Sequence, residues 1–186
     1  MKRIFDLFLG LIFIIIFFIP LLLVITLVFF LDGRPIFFYQ ERAGFEGKPF
    51  NLIKIRTMKN QKHIRFGKTI RKFKLDEIPQ LLNVLKGDIS FVGPRPLYVR
   101  YIKLYNNEQM LRLGIKPGLT GLAQVKGGNL LKWNERFKLD KYYIENRSFF
   151  FDIYIIFLTF ICLIKSLIVS DHFFNMTDSE DFNGKN

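Results

Sequence analysis

The feature that most constrains this chain is a long uncharged segment close to its N-terminus. Residues 7–31 contain no charged side chain, and this run exceeds the ~18–20 apolar residues that a membrane helix needs. It also exceeds the ~7–15 apolar residues of a cleaved signal peptide, and no small-residue cleavage motif follows it. We therefore expect a membrane anchor at residues 1–33.

Pro20 lies near the middle of this apolar segment. A proline removes one helical hydrogen bond and clashes with the preceding turn, so we predict a break or kink there. Basic residues flank the segment on both sides, with Lys2 and Arg3 before it and Arg34 and Arg42 after it. Because positive charge favours the cytoplasmic side, a re-entrant helix broken at the proline satisfies both flanks. An ordinary span would leave one flank on the unfavourable side, so the re-entrant form is the favoured of the two alternatives.

Composition narrows the class of partner. The net charge is +12, but half of the residues are hydrophobic and 23 of them are Phe, which favours an anionic membrane over a soluble nucleic-acid complex. Nucleic-acid binding would also need aromatic residues for base stacking, yet between residues 54 and 74 only Phe66 and Phe73 qualify. The single cysteine excludes a disulfide framework and a cysteine-based zinc site. We expect membrane lipids as partners and no nucleic acid.

The rest of the chain predicts an α-rich α+β fold with a small β-hairpin and interfacial amphipathic helices. Short strand-like runs at residues 36–39 and 50–55 are separated by glycines and a proline, which indicates the hairpin. Residues 153–164 are uncharged but too few to span a bilayer, so we expect an interfacial or buried helix. Residues 34–170 are predicted to form one domain at the cytoplasmic face, and the polar residues 171–186 a flexible tail.

The adjacent carboxylates Asp76 and Glu77 follow a basic stretch, residues 48–75, that contains no acidic residue. The apolar pattern that starts at Ile78 and ends at Leu85 predicts an amphipathic helix closed by Gly87. The pair would then lie at a helix N-terminus. Two interpretations stay open: a helix cap with a first-turn acid, or catalytic carboxylates. The basic stretch is equally open to contact with anionic lipid or with a phosphorylated substrate.

Arg95 stands between two prolines, Pro94 and Pro96. The prolines fix the backbone on either side, so the segment would present one guanidinium from a stiff extended chain. A guanidinium held in this way suits a phosphate oxygen, although the segment could also be a plain turn.

Several motifs resemble the bacterial sugar transferase family, the monotopic phosphoglycosyl transferases, in its small form that holds the catalytic domain alone. They occur in the family's order over most of the chain: Lys2-Arg3-x-x-Asp6, Lys54-Ile55-Arg56-Thr57-Met58, residues 75–88, Gly93-Pro94-Arg95-Pro96, residues 116–121 and Asp140-x-x-Tyr143. The resemblance implies a re-entrant helix broken at Pro20. It also implies a UDP-sugar donor, undecaprenyl phosphate as acceptor, and a bacterial cytoplasmic membrane.

The residues allow a two-step reaction within that resemblance. Asp76 would attack the phosphate that bears the sugar, release UMP and form a covalent intermediate, which the lipid phosphate then attacks. A divalent cation, Mg²⁺, at Asp76 would relieve repulsion between carboxylate and diphosphate. Glu77 would assist. The residues expected to bind substrate phosphate are Arg56, Arg71, Pro94 and Arg95.

This chain departs from the family pattern at two positions. Ile19 precedes Pro20 where many relatives have serine, and Gly128 stands where relatives often have an arginine linked to nucleotide binding. We therefore expect uridine recognition to be rearranged, with Lys126 or Lys132 contributing. The alternative to an enzyme is a non-catalytic membrane-surface adaptor that binds anionic lipid through its basic stretch, with Asp76 only capping a helix.

Overall fold

The fold is that of a computed structural model, which describes residues 2–168 and 181–184. Its α-helices are α1 (Lys2–Asp32), α2 (Gly67–Lys72), α3 (Gln80–Lys86), α4 (Asn107–Met110), α5 (Leu122–Lys126), α6 (Trp133–Asn146) and α7 (Phe149–Ile168). Its strands are β1 (Phe37–Ala43), β2 (Pro49–Ile55), β3 (Met58–Lys59), β4 (Lys62–His63), β5 (Ser90–Val92) and β6 (Gly118–Thr120). The predominance of helix over short two-stranded sheets confirms the predicted α-rich α+β class.

Helix α1 runs from Lys2 to Asp32 with Pro20 inside it, so the chain is helical on both sides of the proline, and the break or kink there stays a prediction. By length and composition the helix could cross a membrane. Most of its side chains point away from the protein; Ile19, for example, is 68% exposed. Exposed apolar surface on this scale indicates a non-aqueous surrounding. The re-entrant course of the helix stays a prediction.

The first turn of α1 is bonded to the rest of the fold. Lys2 Nζ donates to the carbonyl of Val92 at 2.9 Å and lies 2.7 Å from the carboxylate of Asp152 on α7. Both terminal nitrogens of Arg3 donate at 2.6 Å to carbonyls in the last turn of α3, those of Val84 and Leu85. The motif at residues 2–6 therefore joins α1, α3, β5 and α7.

Asp6 completes this junction from inside the protein. Its side chain is buried, and its Oδ1 accepts hydrogen bonds from the hydroxyl of Ser90 at 3.0 Å and from the backbone N–H of Phe91 at 3.1 Å. Strand β5 is thereby fixed to α1 just before the chain reaches Arg95.

The C-terminal end of α1 is held by a second cation. Arg56, which follows β2, donates to the carbonyls of Asp32 at 2.9 Å and Gly33 at 2.8 Å. Val24 and Val28 of α1 pack in the same region against an apolar cluster that includes Ile55, Ile64 and Ile70. Both ends of the apolar helix are thus attached to the same body of protein.

The predicted hairpin is confirmed and is longer than expected. β1 and β2 pair antiparallel from Phe37 opposite Ile55 to Ala43 opposite Pro49. β5 and β6 form a parallel pair, with Ser90 opposite Gly118 and Val92 opposite Thr120. Gly118 is required there, because a Cβ atom at this position would lie 2.1 Å from the backbone nitrogen of Gly93. This pairing brings the Arg95 loop against the loop at residues 116–121.

The predicted apolar helix near the C-terminus is present as α7, which packs against α5 and β5. Ile155 on this helix is fully buried. Most of the predicted flexible tail, residues 171–180 and 185–186, lies outside the described residues. Within residues 181–184, Phe182 is buried in an aromatic cluster.

Candidate active site

Asp76 and Glu77 lie in a single 3-10 turn, Leu75–Glu77, ahead of α3. Lys74 precedes this turn in the left-handed conformation, with φ of 56°, and so redirects the chain after α2. The N-cap position of α3 is Pro79, so the helix-cap interpretation of Asp76 is wrong. Asp76 is buried, and its Oδ1 is buried without a hydrogen-bond partner in the described structure. An orphaned buried carboxylate oxygen is costly for stability and is typical of a functional group.

The surroundings of Asp76 oppose its ionisation. Burial is the main cause and the neighbouring Glu77 the second, and together they raise the pKa of Asp76 to about 6. Lys54, Lys74 and Arg71 act in the opposite direction but only in part. Asp76 is therefore a carboxylate that titrates close to neutrality.

Glu77 has the opposite character, although it follows Asp76 directly. Its Oε1 lies 3.0 Å from the ammonium of Lys54 and 3.3 Å from the guanidinium of Arg95. Burial alone would raise the pKa of Glu77, but Lys54, Arg95 and Lys74 hold it well below the ordinary value. Adjacent carboxylates with different pKa values are suited to different tasks. Glu77 is a fixed anion that orients two cations, whereas Asp76 has an uncommitted oxygen.

The rigid Arg95 loop is built as the sequence predicted, and its contacts are now visible. The carbonyl of Pro94 accepts from the backbone N–H of Gly118 at 2.9 Å, and the carbonyl of Arg95 accepts from Arg112 at 2.6 Å. With its backbone held from two sides, Arg95 directs its guanidinium at Glu77. Pro94 acts on the site through this backbone geometry.

The other predicted phosphate-binding residues lie in different places. Arg71, on α2, donates from Nε to the hydroxyl of Thr57 at 3.0 Å and is close enough to Asp76 to affect its pKa. Arg56 is buried and binds the carbonyls at the end of α1. These contacts give Arg56 a structural task, and its part in phosphate binding stays a prediction.

A cavity of about 260 Å³ lies between α1, α3, α5, α6 and α7. Its charged residues are four basic and two acidic: Lys74, Glu77, Arg95, Arg112, Arg136 and Asp140. Its apolar residues include the aromatic side chains of Phe13 and Phe17 on α1, Phe91 on β5 and Phe160 on α7. The cavity therefore offers both a cationic lining and an apolar lining, which suits an amphiphilic anion.

Sequence reasoning missed Arg112 and Arg136 as residues of this cavity. Arg112 is buried and lies 3.2 Å from the carboxylate of Asp140; burial raises the pKa of Asp140 to about 6 despite Arg112 and Arg136. Arg136 Nε and NH2 each donate to a backbone carbonyl at 2.9 Å, on Leu131 and Asn129. The Asp140-x-x-Tyr143 motif indicated that α6 is part of the site. Nothing in the local sequence distinguished Arg112 or Arg136 from the other basic residues of the chain.

Gly128, where relatives often have arginine, also lines the cavity. The predicted substitutes Lys126 and Lys132 are not among the lining residues, whereas Arg136 is. The expected contribution of Lys126 or Lys132 to uridine recognition stays a prediction.

Among the described residues, no group of three or more His, Cys, Asp or Glu side chains could hold a metal ion by itself. The unpartnered Oδ1 of Asp76 could be one ligand of a divalent cation. Mg²⁺ is commonly held by one or two carboxylates together with substrate phosphates and water. The residues present fit an ion of that kind.

Asp76, a buried carboxylate beside Lys54, Lys74 and Arg71, directly precedes Glu77, which lines a cavity with cationic and apolar surface. This arrangement is typical of an enzyme site. Comparison with known proteins agrees. The bacterial sugar transferase family matches residues 1–166, and the chain belongs to this family. It is therefore a transferase, and the adaptor interpretation is wrong.

Individual relatives are similar over most of the chain. The uncharacterized sugar transferase EpsL of Bacillus subtilis is 43% identical, over 92% of this chain and 89% of that protein. The exopolysaccharide production protein ExoY of Rhizobium meliloti is 33% identical, over 87% and 85%. The UDP-glucose:undecaprenyl-phosphate glucose-1-phosphate transferase of Escherichia coli is 40% identical, over 67% of this chain and 32% of that longer protein.

Proposed function

We propose that this protein transfers a sugar-1-phosphate from a UDP-sugar to undecaprenyl phosphate and releases UMP. Family membership makes it a sugar transferase, and the Escherichia coli relative is named for this donor type and this acceptor. The single observation that carries the chemistry is the buried, unpartnered Oδ1 of Asp76. Such an oxygen is available to attack phosphorus.

The reaction is proposed to run in two steps. In the first, Asp76 Oδ1 forms a bond to the phosphorus that bears the sugar, and the bond from that phosphorus to the UMP oxygen breaks. In the second, a phosphate oxygen of the lipid attacks the same phosphorus and the carboxylate of Asp76 leaves. Arg95 and Arg71 neutralise charge that develops on the phosphoryl oxygens.

The pKa values give the two carboxylates separate tasks in this scheme. Asp76 must be ionised to act as nucleophile, and with a pKa of about 6 it is ionised at neutral pH while staying basic enough to attack. Glu77 keeps its charge throughout and holds the ammonium of Lys54 and the guanidinium of Arg95 in place. Glu77 therefore supports the site by orienting its cations.

We further propose that the enzyme uses Mg²⁺, held by Asp76 and by phosphate oxygens of the donor. Bound there, the ion would polarise the phosphoryl group and screen the approach of one anion to another. The other positive charges near Asp76 are those of Lys54, Lys74 and Arg71.

In the two-step scheme, the donor diphosphate and then the acceptor phosphate are proposed to occupy the cationic lining of the cavity in turn, with the acceptor's hydrocarbon chain along Phe13, Phe17 and Phe160. The same arrangement supports a re-entrant course for α1, since both ends of that helix are bonded to one body of protein. We place that body at the cytoplasmic face of the bacterial membrane, where the basic residues flanking α1 are favoured. Single-cysteine variants at Lys2 and Arg34, made in a Cys162→Ser background, should both label from the cytoplasmic side; labelling of Lys2→Cys from the other side would contradict re-entry.

The function is tested by UMP release. Purified protein in lipid nanodiscs, with undecaprenyl phosphate and Mg²⁺, is given a panel of UDP-sugars. We expect at least one of them to yield UMP and a lipid-linked sugar. Asp76→Asn should abolish both, while Glu108→Gln, which alters an exposed ion pair with Lys141, should not. Absence of UMP with every sugar, or normal turnover by Asp76→Asn, would refute the proposal.

A further inference from the structure

Phe182 is distant in sequence from the residues that line the cavity, but it packs against two of them, Trp133 and Phe137. The side chain is 3% exposed. Its ring centroid lies 5.3 Å from that of Trp133 and 5.1 Å from that of Phe137, both on α6. Asp181 fixes the same segment, because it accepts a hydrogen bond from the hydroxyl of Tyr101 at 2.7 Å.

Trp133 and Phe137 also line the cavity, and an arginine guanidinium lies over the ring of each. The guanidinium of Arg136 lies 4.6 Å from the centre of the Trp133 ring, and that of Arg112 lies 5.4 Å from the centre of the Phe137 ring. All four residues line the cavity. Cation–π contacts of this kind depend on the position of the ring, because the attraction falls once the cation is no longer over the ring face.

We propose that Phe182 is a positioning residue for the cationic wall of the substrate site. By packing on Trp133 and Phe137 from outside, it holds the two rings at the places where Arg136 and Arg112 meet the anionic substrate. The described C-terminal residues 181–184 are then part of the binding apparatus without lining the cavity themselves. The direction of the effect rests on the proposed function, since it assumes that the anion bound at this wall is the diphosphate of a UDP-sugar.

The competing explanation is that Phe182 only fills the core. Loss of a buried aromatic side chain lowers stability in either case. A core-filling role predicts lower stability with unchanged affinity for the anion, because the folded molecules would still have an intact wall. A positioning role predicts weaker anion binding in protein that is fully folded.

Trp133 makes the two explanations separable, since it is the single tryptophan of the chain and contacts both Phe182 and the cavity. Its fluorescence reports the packing of the wall and, on titration with UDP, the affinity of the site. The full-length protein in nanodiscs is compared with Phe182→Ala, Phe182→Leu and the matched control Phe45→Ala. Phe45 is 40% exposed and lies outside the cavity lining.

We expect Phe182→Ala to shift Trp133 emission and to weaken UDP binding roughly tenfold, the loss that corresponds to one or two weakened cation–π contacts. Phe182→Leu keeps apolar contact with both rings and should lose only about threefold. Phe45→Ala should bind UDP as the unchanged protein does. In the turnover assay the loss should appear in KM for the UDP-sugar, with kcat nearly unchanged.

Unchanged UDP affinity in folded Phe182→Ala would overturn the proposal. If that variant does not fold, unchanged affinity in Phe182→Leu overturns it, and so does a failure of the unaltered protein to bind UDP. Loss of affinity in the Phe182 variants supports it. Should UDP bind in this way while no UMP is ever released, the proposed function fails and the positioning role stands.

Discussion

Replacement of Asp6 by alanine is predicted to destabilise the fold around β5, although Asp6 lies near the start of the apolar helix α1. Its Oδ1 is the acceptor for both the Ser90 hydroxyl and the Phe91 backbone N–H. Asp6→Ala removes both bonds and leaves the Phe91 N–H buried without a partner. Each lost bond to a carboxylate costs about 1.5 kcal/mol or more, so we expect a loss of about 3 kcal/mol in the free energy of unfolding.

Thermal unfolding in nanodiscs is a suitable assay. For a chain of this size, about 3 kcal/mol corresponds to a fall in Tm of roughly 6–12 °C. Asp6→Asn is the informative companion, because one amide oxygen can serve both donors at the position of Oδ1. We expect it to lose only about 1 kcal/mol.

The matched control is Glu108→Ala, which breaks an ion pair of 2.6 Å whose carboxylate side chain is 70% exposed. Exposed pairs contribute about 0–1 kcal/mol, so its Tm should fall little. If the Tm of Asp6→Ala falls no further than that of Glu108→Ala, the start of α1 does not stabilise the rest of the fold, and the reasoning is refuted.

Three further predictions concern the site and its support. The pH profile of kcat/KM should lose activity as the pH falls through about 6, since burial raises the pKa of the Asp76 nucleophile and protonation removes it; an acid limb below pH 4 would contradict this. Arg95→Ala should lower kcat/KM by roughly 10- to 100-fold, as expected for one charge-assisted contact to phosphate, and an unchanged value would remove Arg95 from the site. Gly67→Ala should destabilise the fold by about 2 kcal/mol or more, because the added Cβ would lie 2.2 Å from the carbonyl oxygen of Thr57; a Tm equal to that of the unaltered protein would contradict it.

Local patterns in the sequence predicted the elements that depend on local physics. The hairpin followed from glycines and proline between two apolar runs, and Gly87 ends α3 in the left-handed conformation, with φ of 92°. Asp76 and Glu77 were recognised as a pair, but not their different ionisation. That difference arises because Lys54 and Arg95, distant in sequence, both contact Glu77.

Other features could not be predicted because they depend on tertiary contacts. Helix α1 continues on both sides of Pro20, and its two ends are held by residues that are distant in sequence. Arg56 was expected at a phosphate, yet its contacts are with backbone carbonyls at the end of α1. Arg136 enters the cavity and Phe182 supports its wall only because α6 and the C-terminal segment pack together. Contacts between residues so far apart in the chain cannot be read from local sequence spacing.

The central claim is that Asp76 forms a covalent bond to the phosphosugar. Mass spectrometry of intact protein tests it after incubation with Mg²⁺ and the UDP-sugar found active, in the absence of undecaprenyl phosphate. We predict a mass increase of one sugar phosphate, located to Asp76 by peptide mapping, together with UMP in amounts equal to the enzyme. Addition of undecaprenyl phosphate should discharge the adduct, and Asp76→Asn should show none. Turnover with no adduct, and no UMP until the lipid is added, would contradict the claim.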